Sequence, residues 1–210
     1  ELAESRRAIL LSQIQPHFLY NVLCVIQDLC HGKAPEAEQA TVVFSRFLRG
    51  SMDSLSTPGD IPFEQELAHT RHYLTLEQMR FGDRLRVTVD TPATRFRLPP
   101  LTLQPLVENA VRCGVCKRER GGTVAIETRE TADAFEIAVR DDGVGFDPDA
   151  PPADGRAHLG IENVRGRLQA QSGGTLRIQS TPGVGTVATI SIPKDAAVPA
   201  REPRMKGASR

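Results

Sequence analysis

The stretch from Leu103 to Gly114, LQPLVENAVRCG, constrains the fold of this chain more than any other part of its 210 residues. Its apolar residues recur at helical spacing, which predicts a helix with one buried face. Glu108, Asn109 and Arg112 fall toward the other side of that helix. An amide oxygen is a suitable neutral ligand for hydrated Mg²⁺, and an arginine one turn later can hold phosphate oxygens. The stretch therefore fits a nucleotide-binding helix, while the ordinary polar face of an amphipathic helix is the alternative explanation.

A second signal lies downstream, where an alternating apolar run over 135–139 predicts a half-buried strand. The sequence DDGVGF, from Asp141 to Phe146, follows that strand directly. At the tip of the strand, Asp141 can accept a hydrogen bond from an exocyclic amine. Gly143 and Gly145 lack side chains and so permit the close approach of a flat ring.

Two further glycine-containing segments complete an ordered set of four. Gly160 opens a helical run from Ile161 to Gln171, and GVGT, from Gly183 to Thr186, leads into a last alternating strand. Four elements in this order are far more specific than a lone glycine pattern.

These segments resemble the ATP-binding domain shared by histidine kinases, gyrase, Hsp90 and MutL. The resemblance rests on Asn109, the DDGVGF box, HLGIENVRGRL and the terminal GGTLRIQSTPGVGTVATISIP. Upstream, QIQPHFLYN, YLTLEQMRFGDRL and LPPLTLQPLVENA are similar, more narrowly, to the LytS-like sensor histidine kinases. The resemblance runs from about Leu10 to Pro193.

The resemblance implies ATP and Mg²⁺ as cofactors and gives roles to particular residues. Asn109 would hold Mg²⁺, and Glu108 would orient or polarise groups nearby. Phosphates would be bound by Arg112, by the helix N-terminus after Gly160 and by a mobile lid over 147–158, which is rich in Pro, Ala, Gly and Asp and has no periodicity. The implied adenine site consists of Asp141, Gly143, Gly145 and Thr186.

The segment QPHFLYN resembles the phosphoacceptor box of the same family, which implies that His17 receives the phosphoryl group. A neutral imidazole nitrogen is a good nucleophile near neutral pH. Many histidine kinases place an acidic residue directly after the histidine, and this position is Phe18 here. Asn21, one helical turn further on, can hydrogen-bond the ring or position a water molecule for dephosphorylation. From the segment alone, an ordinary surface histidine is the alternative.

Residues Leu2 to Cys30 read as one long helix that is loosened at Pro16, because proline cannot donate the helical hydrogen bond. The segment from His31 to Pro35 predicts a helix stop, and a second helix is expected from Glu36 to Met52. Two antiparallel helices alone bury too little surface, so pairing with a second copy into a four-helix bundle is expected. The resembled family implies the same homodimer. The residues of the second helix expected to face inward are Val42, Val43, Phe47 and Leu48.

A third helix, from Phe63 to Phe81, is expected to join the bundle to the ATP-binding domain after a loop at 56–62. Glu77, Arg80 and Phe81 belong to the family-like signature and are interpreted as a structural joint between the two parts. Strands are expected at 85–90, 124–126, 135–139, 176–180 and 186–192.

The predicted fold class is α+β: a helical hairpin dimerisation and phosphoacceptor segment followed by an α/β sandwich ATP-binding domain of the Bergerat type. The expected domains are residues 1–60 for the hairpin, 61–84 for the connecting helix and 85–194 for the ATP-binding domain. Residues 195–210 are expected to be a disordered tail.

Lys plus Arg and Asp plus Glu number 26 each, so no electrostatic feature suggests a nucleic-acid partner. The absence of Trp and of any long apolar run excludes a membrane span within these residues, and no signal peptide is present. We therefore expect the cytoplasmic region of an inner-membrane sensor, attached to the membrane only through a part of the full-length protein outside this sequence. Its expected partner is a response regulator protein.

The four cysteines do not form the pattern of a secreted disulfide framework, and a reducing cytosol is the simpler interpretation. Cys113 and Cys116 nevertheless form a CxxC, the spacing of redox dithiols and of half a zinc site. No second CxxC is present, so two thiols at the end of a helix are the plainer explanation. In the resembled family a histidine usually stands at the position of Cys113, and a glycine often stands at that of His158. A minor hypothesis is that oxidation of the cysteine pair weakens ATP binding.

Two other functions compete with a histidine kinase. ATP hydrolases of the gyrase, Hsp90 or MutL kind carry a glutamate four residues before the Mg-binding asparagine, and here that position is Pro105, which cannot act as a general base. A nucleotide-binding signalling scaffold with weak or no kinase activity stays open because of the departures at Cys113 and His158. The expected activity is ATP-dependent autophosphorylation of His17, followed by transfer to an aspartate of a response regulator.

Overall fold

The computed structural model describes residues 16–57, 59–147 and 155–194. Three helices open the described chain: α1 (Pro16–Cys30), α2 (Ala34–Ser56) and α3 (Phe63–Phe81). The first two form a hairpin closed by the turn at 31–33, and both pack against α3. The part of the predicted first helix before Pro16, and the expected loosening there, involve residues outside the described ranges.

The second helix is longer than predicted at both ends. It begins at Ala34 because Pro35 is accommodated in the first turn, where its missing N–H costs nothing. It continues to Ser56, and the hydroxyls of Ser56 and Thr57 donate to carbonyls of the preceding turn at 2.9 and 2.7 Å. Val42, which was predicted to face inward, is 44% exposed in the single chain, so the hairpin does not bury it by itself.

Three aromatic side chains hold the hairpin on α3. The ring of Phe18 lies 5.0 Å from that of Phe47 in an edge-on arrangement and 5.1 Å from that of Tyr73. All three residues are at most 6% exposed. Burial of such rings is among the larger apolar contributions to stability, and here one residue comes from each of the three helices.

Seven strands lie in the described residues: β1 (Ile61–Pro62), β2 (Leu85–Asp90), β3 (Arg97–Leu98), β4 (Gly122–Glu130), β5 (Ala134–Asp141), β6 (Thr175–Thr181) and β7 (Gly185–Pro193). Five of them form a mixed sheet in the order β2-β4-β5-β7-β6. β2 pairs with β4 in parallel, and the other neighbours are antiparallel. All five predicted strands are present, with β4 and β5 longer than expected.

Two helical segments pack against each other and on this sheet. The first is α4 (Leu103–Asn109), which continues as a π-helical turn (Ala110–Gly114) and a 3₁₀ turn (Val115–Lys117). The second is α5 (Gly155–Ser172). Apolar residues that alternate along β4 and β5 are fully buried beneath them, and this layer of helices on a sheet confirms the predicted α/β sandwich.

A stack of three phenylalanines fixes α3 to the sandwich. Phe63, the first residue of α3, stacks on Phe96 at 4.8 Å, and Phe96 stacks on Phe135 of β5 at 4.9 Å. Phe63 is completely buried. The helix that leaves the hairpin is therefore anchored on the sheet, and the chain has the predicted α+β architecture.

Across the described part of the chain, no helix combines the length and the hydropathy that a membrane span requires.

Candidate functional site

Asp141 and Thr186 lie side by side at one end of the sheet. Asp141 ends β5, Thr186 is the second residue of β7, and the two are direct partners in the antiparallel register. The backbone N–H and the hydroxyl of Thr186 both favour the ionised form of the Asp141 carboxylate and so lower its pKa. Ser180 adds a further hydroxyl, 2.9 Å from Thr186 Oγ1. The structure thus brings together the two polar residues that were predicted to read adenine.

Backbone atoms rather than side chains border the Asp141 carboxylate. A Cβ atom added to Gly114 would lie 2.5 Å from Asp141 Oδ1, and one added to Gly185 would lie 2.0 Å from the Asp141 carbonyl oxygen. A Cβ atom on Gly143 would lie 2.2 Å from the carbonyl carbon of Gly114. A side chain at any of these positions would displace the carboxylate or the backbone beside it. We call this group the Asp141 cradle, and it consists of Gly114, Asp141, Gly143, Gly185 and Thr186.

The loop that follows Asp141 is held on both sides. The N–H of Val144 donates to the Gly114 carbonyl at 3.3 Å, and the N–H of Gly183 donates to the Val144 carbonyl at 2.7 Å. Gly145 has φ of +59°, and a Cβ atom there would lie 2.0 Å from the carbonyl oxygen of Thr181. Only glycine fits this position, so Gly145 fixes the loop against the β6–β7 turn.

Burial raises the pKa of the Asp141 carboxyl above its ordinary value, and the N–H groups of Gly143 and Thr186 work in the opposite direction because they favour the ionised form. The Gly143 N–H donates to Asp141 Oδ1 at 2.9 Å. The neighbouring Asp142 has another role, since its Oδ1 accepts the N–H of Thr123 on β4 at 2.6 Å. Asp141 is therefore the carboxylate of this pair that can meet a ligand amine.

Asn109 is the last residue of α4 and is partly exposed. Directly after it, the N–H of Ala110 is shared between the carbonyls of Leu106 and Val107, and the chain enters the π-helical turn that ends at Gly114. Single π turns inside helices are common at functional sites. One turn of helix therefore connects Asn109 to the Asp141 cradle, and the predicted continuous α-helix from Leu103 to Gly114 is wrong in its second half.

The donor set fits Mg²⁺ that arrives with a nucleotide. Hydrated Mg²⁺ needs only one or two protein oxygens beside substrate phosphates, and the amide oxygen of Asn109 is such a ligand. Within the described ranges, no group of three or more His, Cys, Asp or Glu residues could hold a metal ion by itself.

Glu108 and Arg112 lie on the side of α4 that faces α3. Gln104 Nε2 donates to Glu108 Oε1 at 2.8 Å. Burial raises the pKa of Glu108, while the Gln104 hydrogen bond and the charge of Arg112 lower it. Arg112 also lowers the pKa of Glu77 on α3, and Glu108 raises it. The structure thus groups Glu108 and Arg112 with Glu77, and the phosphate role of Arg112 stays a prediction.

The face of α3 that meets this group is buried and polar. Glu77 and Tyr73 are each 1% exposed, and among the described residues the Tyr73 hydroxyl and both Glu77 carboxylate oxygens have no hydrogen-bond partner. Arg80 lies 3.7 Å from Glu77 Oε1, which makes an ion pair rather than a hydrogen bond, and its guanidinium stacks over the Phe81 ring at 4.7 Å. Burial raises the pKa of both Tyr73 and Glu77. These contacts support the interpretation of Glu77, Arg80 and Phe81 as a joint.

His17 stands on the exposed side of α1, while the next residue, Phe18, points into the core. Asn21 Nδ2 lies 3.0 Å from His17 Nδ1, which confirms the predicted hydrogen bond between the two side chains. An amide rotated by half a turn presents its oxygen instead, so Asn21 can donate to a bare ring nitrogen or accept from a protonated one. Asn21 can therefore serve either tautomer of the imidazole.

Gly160 lies in the second turn of α5, which begins at Gly155. The prediction that a helix starts after Gly160 is wrong, because the periodic apolar residues begin later than the helix itself. Gly160 therefore lies inside the helix rather than at its N-terminus. Of the predicted lid, residues 148–154 lie outside the described ranges and 155–158 belong to α5.

All four cysteines are free thiols. Cys113 is exposed and Cys116 is half-buried, and burial raises the pKa of the Cys116 thiol to about 11. A thiol of that pKa is protonated at neutral pH and is a weak nucleophile and metal ligand. The geometry therefore adds nothing to the redox or zinc interpretations of this pair.

Sequence reasoning missed Gln104, Gly114 and Ser180. Gln104 precedes Glu108 by one helical turn, and the spacing of four residues on one face is a signal that could have identified it. Gly114 reaches Asp141 through a contact between distant segments, which no local pattern reports. Ser180 is the partner of Thr186 across the β6–β7 hairpin, and the register of that hairpin is a signal that could have identified it.

Two family models match the chain. Residues 5–85 match the family described as Histidine kinase, and residues 99–196 match the family described as Histidine kinase-, DNA gyrase B-, and HSP90-like ATPase. The uncharacterised protein YwpD of Bacillus subtilis is 39% identical over 191 residues, which cover 88% of this chain and 69% of YwpD. The sensor protein LytS of Streptococcus mutans is 36% identical over 138 residues, 65% of this chain and 24% of LytS. The chain thus spans about a quarter of that relative.

Among solved structures, the histidine kinase domain of the blue-light activated histidine kinase from Erythrobacter litoralis EL346 has the same fold. It superposes with a TM-score of 0.55 at 19% identity, over 86% of this chain and 97% of that domain.

Proposed function

From the premise that the chain belongs to the histidine kinases, as a LytS-like sensor histidine kinase, we propose a two-step activity. The chain autophosphorylates on His17 with ATP and then passes the phosphoryl group to an aspartate of a response regulator. The observation that carries the proposal is the presence, in one chain, of an exposed His17 bonded to Asn21 and of the Asp141 cradle.

His17 is the nucleophile of the transfer. One imidazole nitrogen forms a bond to the γ-phosphorus of ATP, and the bond from that phosphorus to the oxygen bridging to the β-phosphate breaks. The electron pair of the broken bond leaves with ADP. The other ring nitrogen keeps its proton. In the rotated orientation of its amide, Asn21 would accept that proton through its oxygen, in place of the Nδ2 contact at 3.0 Å, which leaves the attacking nitrogen with its lone pair.

The Asp141 cradle binds the adenine. Asp141 accepts a hydrogen bond from the exocyclic amine, and Thr186 supplies its hydroxyl at the same spot, because the two residues are register partners. Gly143 and Gly145 allow the ring to lie against backbone. Asn109 holds Mg²⁺ through its amide oxygen, and when bound the ion neutralises charge on the transferred phosphoryl group. Glu108 orients groups at the same helix end.

Labelling with γ-labelled ATP tests the proposal. The wild-type protein should acquire label that is stable in base and lost in acid, as expected for a phosphorus–nitrogen bond, and His17→Gln should acquire none. His31→Gln is the matched control, because His31 is also exposed and lies just beyond the other end of α1. Nucleotide binding without label, or equal labelling of His17→Gln, would contradict the kinase and leave the signalling scaffold.

The same proposal includes a homodimer formed by the hairpin. Tyr20 and Leu23 on α1 are 68% and 54% exposed, and Met52 on α2 is 63% exposed. Large apolar residues grouped on exposed helices are typical of protein–protein interfaces. Leu23→Glu should shift the protein from dimer to monomer in analytical ultracentrifugation, while Gln27→Glu, an exposed polar position one turn away, should not. An unchanged mass for Leu23→Glu would exclude this face.

We further propose that the chain acts in the cytoplasm, as the kinase region of an inner-membrane sensor whose other parts lie outside this sequence. The name of the relative LytS, a sensor protein, supports a signalling role. Transfer of label from phosphorylated protein to a purified response regulator, and its loss when the regulator's acceptor aspartate is replaced, would test the partner directly.

A further inference from the structure

Leu101, just before α4, has an unusual backbone conformation. Its φ is +56°, and in the described ranges it is the single non-glycine residue with a positive φ. A side chain with a Cβ atom makes this conformation unfavourable, and such residues persist where surrounding contacts impose them. Both backbone groups of Leu101 are held by side chains from other helices. Its N–H donates to Glu66 Oε2 at 3.0 Å, and its carbonyl accepts from Arg167 Nη2 at 2.6 Å.

Glu66, on α3, caps α4 from outside that helix. Its side chain is completely buried, and Oε1 accepts the N–H of Leu103 at 3.0 Å. The N–H groups of Thr102 and Gln104 also stabilise its carboxylate. N–H groups at the start of a helix have no partner within the helix, and a negative charge there is favourable. Thr102, the residue directly before α4, makes no side-chain cap and donates its hydroxyl to the Pro99 carbonyl at 2.6 Å.

Arg167 reaches the same residue from α5. It is half-buried, its Nε is buried without a hydrogen-bond partner among the described residues, and the negative charge of Glu66 stabilises its positive charge. Burial of a charged guanidinium costs free energy unless the group is paired and hydrogen-bonded. The hydrogen bond from Arg167 to the Leu101 carbonyl is therefore a specific feature of the fold. Glu66, Leu101 and Arg167 thus form one connected group, which we call the Leu101 clasp.

The three helices joined by the clasp have different tasks in the proposed function. α3 follows the hairpin that carries His17, and α4 carries Asn109. α5 begins within the segment 147–158 that was predicted to cover the nucleotide. The clasp is the place where side chains of α3 and α5 bind the same backbone residue. A change in the position of α5 therefore reaches α3 through two hydrogen bonds and the backbone of a single residue, Leu101.

We propose that Glu66 and Arg167 are positioning residues, which couple the nucleotide-binding end of the chain to the phosphoacceptor hairpin by clamping Leu101. This proposal rests on the proposed function for its role in phosphoryl transfer, but the mechanical coupling needs only nucleotide binding. Neither residue touches the reacting atoms. The clasp acts by setting where α4, and with it Asn109, stands relative to α3 and α5.

Hydrogen exchange of backbone amides, measured by mass spectrometry with and without Mg-ADP, tests the coupling. In the wild-type protein, ADP should slow exchange in both α5 and α3. In Glu66→Gln and in Arg167→Met, ADP should still slow exchange in α5 but no longer in α3. Glu64→Gln and Arg165→Met are the matched controls, since both positions are exposed and lie on the same two helices. A wild-type α3 that does not respond to ADP, or a response retained in both clasp variants, would overturn the proposal.

Kinetics separate a positioning role from a purely structural one. Glu66→Gln should lower kcat for autophosphorylation about 10- to 100-fold, the range that follows from misplacement of about 1 Å, with the dissociation constant for ADP unchanged. Leu101→Gly, combined with Glu66→Gln, should restore thermal stability because glycine adopts positive φ without strain, but it should not restore kcat. Recovery of both quantities would mean that the clasp only holds strain, and the proposal would be wrong.

The two proposals can fail separately. A wild-type protein that never labels His17, yet loses the α3 response in Glu66→Gln, would refute the kinase and keep the clasp. Normal labelling of His17, together with an α3 response to ADP that Glu66→Gln leaves unaltered, would refute the clasp and keep the kinase.

Discussion

Replacement of Asp141 by asparagine should weaken nucleotide binding and stabilise the nucleotide-free protein at the same time. The amide keeps an oxygen that can accept the Gly143 N–H, which the carboxylate accepts at 2.9 Å, so the loop should keep its conformation. The amide nitrogen, however, is a donor and would face the donor amine of adenine. The substitution therefore removes one attractive hydrogen bond without creating a cavity.

The size of the binding effect follows from the kind of bond removed. A hydrogen bond to a charged partner contributes about 1.5–3 kcal/mol, which corresponds to an increase of about 10- to 150-fold in Kd. The sign of the stability effect follows from burial, which raises the pKa of Asp141 in the folded protein. A group with a raised folded-state pKa stabilises the fold below its unfolded pKa and loses that contribution as pH rises through the folded pKa. At neutral pH the ionised Asp141 therefore opposes folding, and neutral asparagine should raise the melting temperature.

Isothermal titration calorimetry with Mg-ADP and thermal unfolding without nucleotide give the two quantities. Asp142→Asn is the matched control, because it is the same substitution one residue away. The amide oxygen at position 142 can still accept the Thr123 N–H. It should leave Kd unchanged. An Asp141→Asn protein with wild-type affinity, or an equal loss in Asp142→Asn, would refute the assignment of Asp141 to the adenine amine.

Three further outcomes are expected. Nucleotide affinity should fall on acidification, because only the ionised form of Asp141 accepts the amine. The fall should start above the pH at which an exposed aspartate titrates, since burial raises the pKa of Asp141. Calorimetry as a function of pH checks this, and Asp141→Asn should make the affinity independent of pH in that range. Gly114→Ala should raise the Kd for ADP about tenfold or more, because the new Cβ would lie 2.5 Å from Asp141 Oδ1, whereas Gly166→Ala, which meets no atom within 4 Å, should leave it unchanged in the same titration. Phe18→Ala should cost about 3–5 kcal/mol in urea unfolding because the ring is 6% exposed and touches two other buried rings, while the exposed Gln27→Ala on the same helix should change stability by less than about 0.5 kcal/mol.

Local patterns predicted those parts of the fold whose signals lie within a few residues. Alternation along 85–90 and 135–139 identified strands, and the DDGVGF box was expected at a strand tip, where the structure has it. Asp141 and Thr186 were assigned to one site through the family resemblance, and the structure pairs them directly in the β5–β7 register.

The errors share a physical cause. Periodicity identifies the apolar face of a helix, but it does not report what the polar face meets. The role predicted for Glu108 at the nucleotide stays a prediction, but periodicity gave no sign that its carboxylate accepts from Gln104 and lies near Glu77 of α3. The residues of the π turn after Asn109 are of ordinary types up to Gly114. A search for apolar residues at 3.6-residue spacing therefore does not detect the turn. The Leu101 clasp depends on side chains from two distant helices and has no local signature at all.

The arrangement of α4 has a consequence for how the reaction can be controlled. Asn109 stands at the end of the helix that leads into the Asp141 cradle, whereas Glu108, its neighbour, is turned toward Gln104 and the buried face of α3. Two adjacent residues of one short helix thus have different surroundings, and Glu108 is the one that faces α3. Nucleotide can then bind while Glu108 is still held against α3. If Glu108 acts at the transferred phosphoryl group, its release requires α3 to move, and α3 is the helix that leaves the hairpin carrying His17. Binding of ATP and readiness for transfer would therefore be separate events, joined through the contacts between α3 and α4 and through the Leu101 clasp.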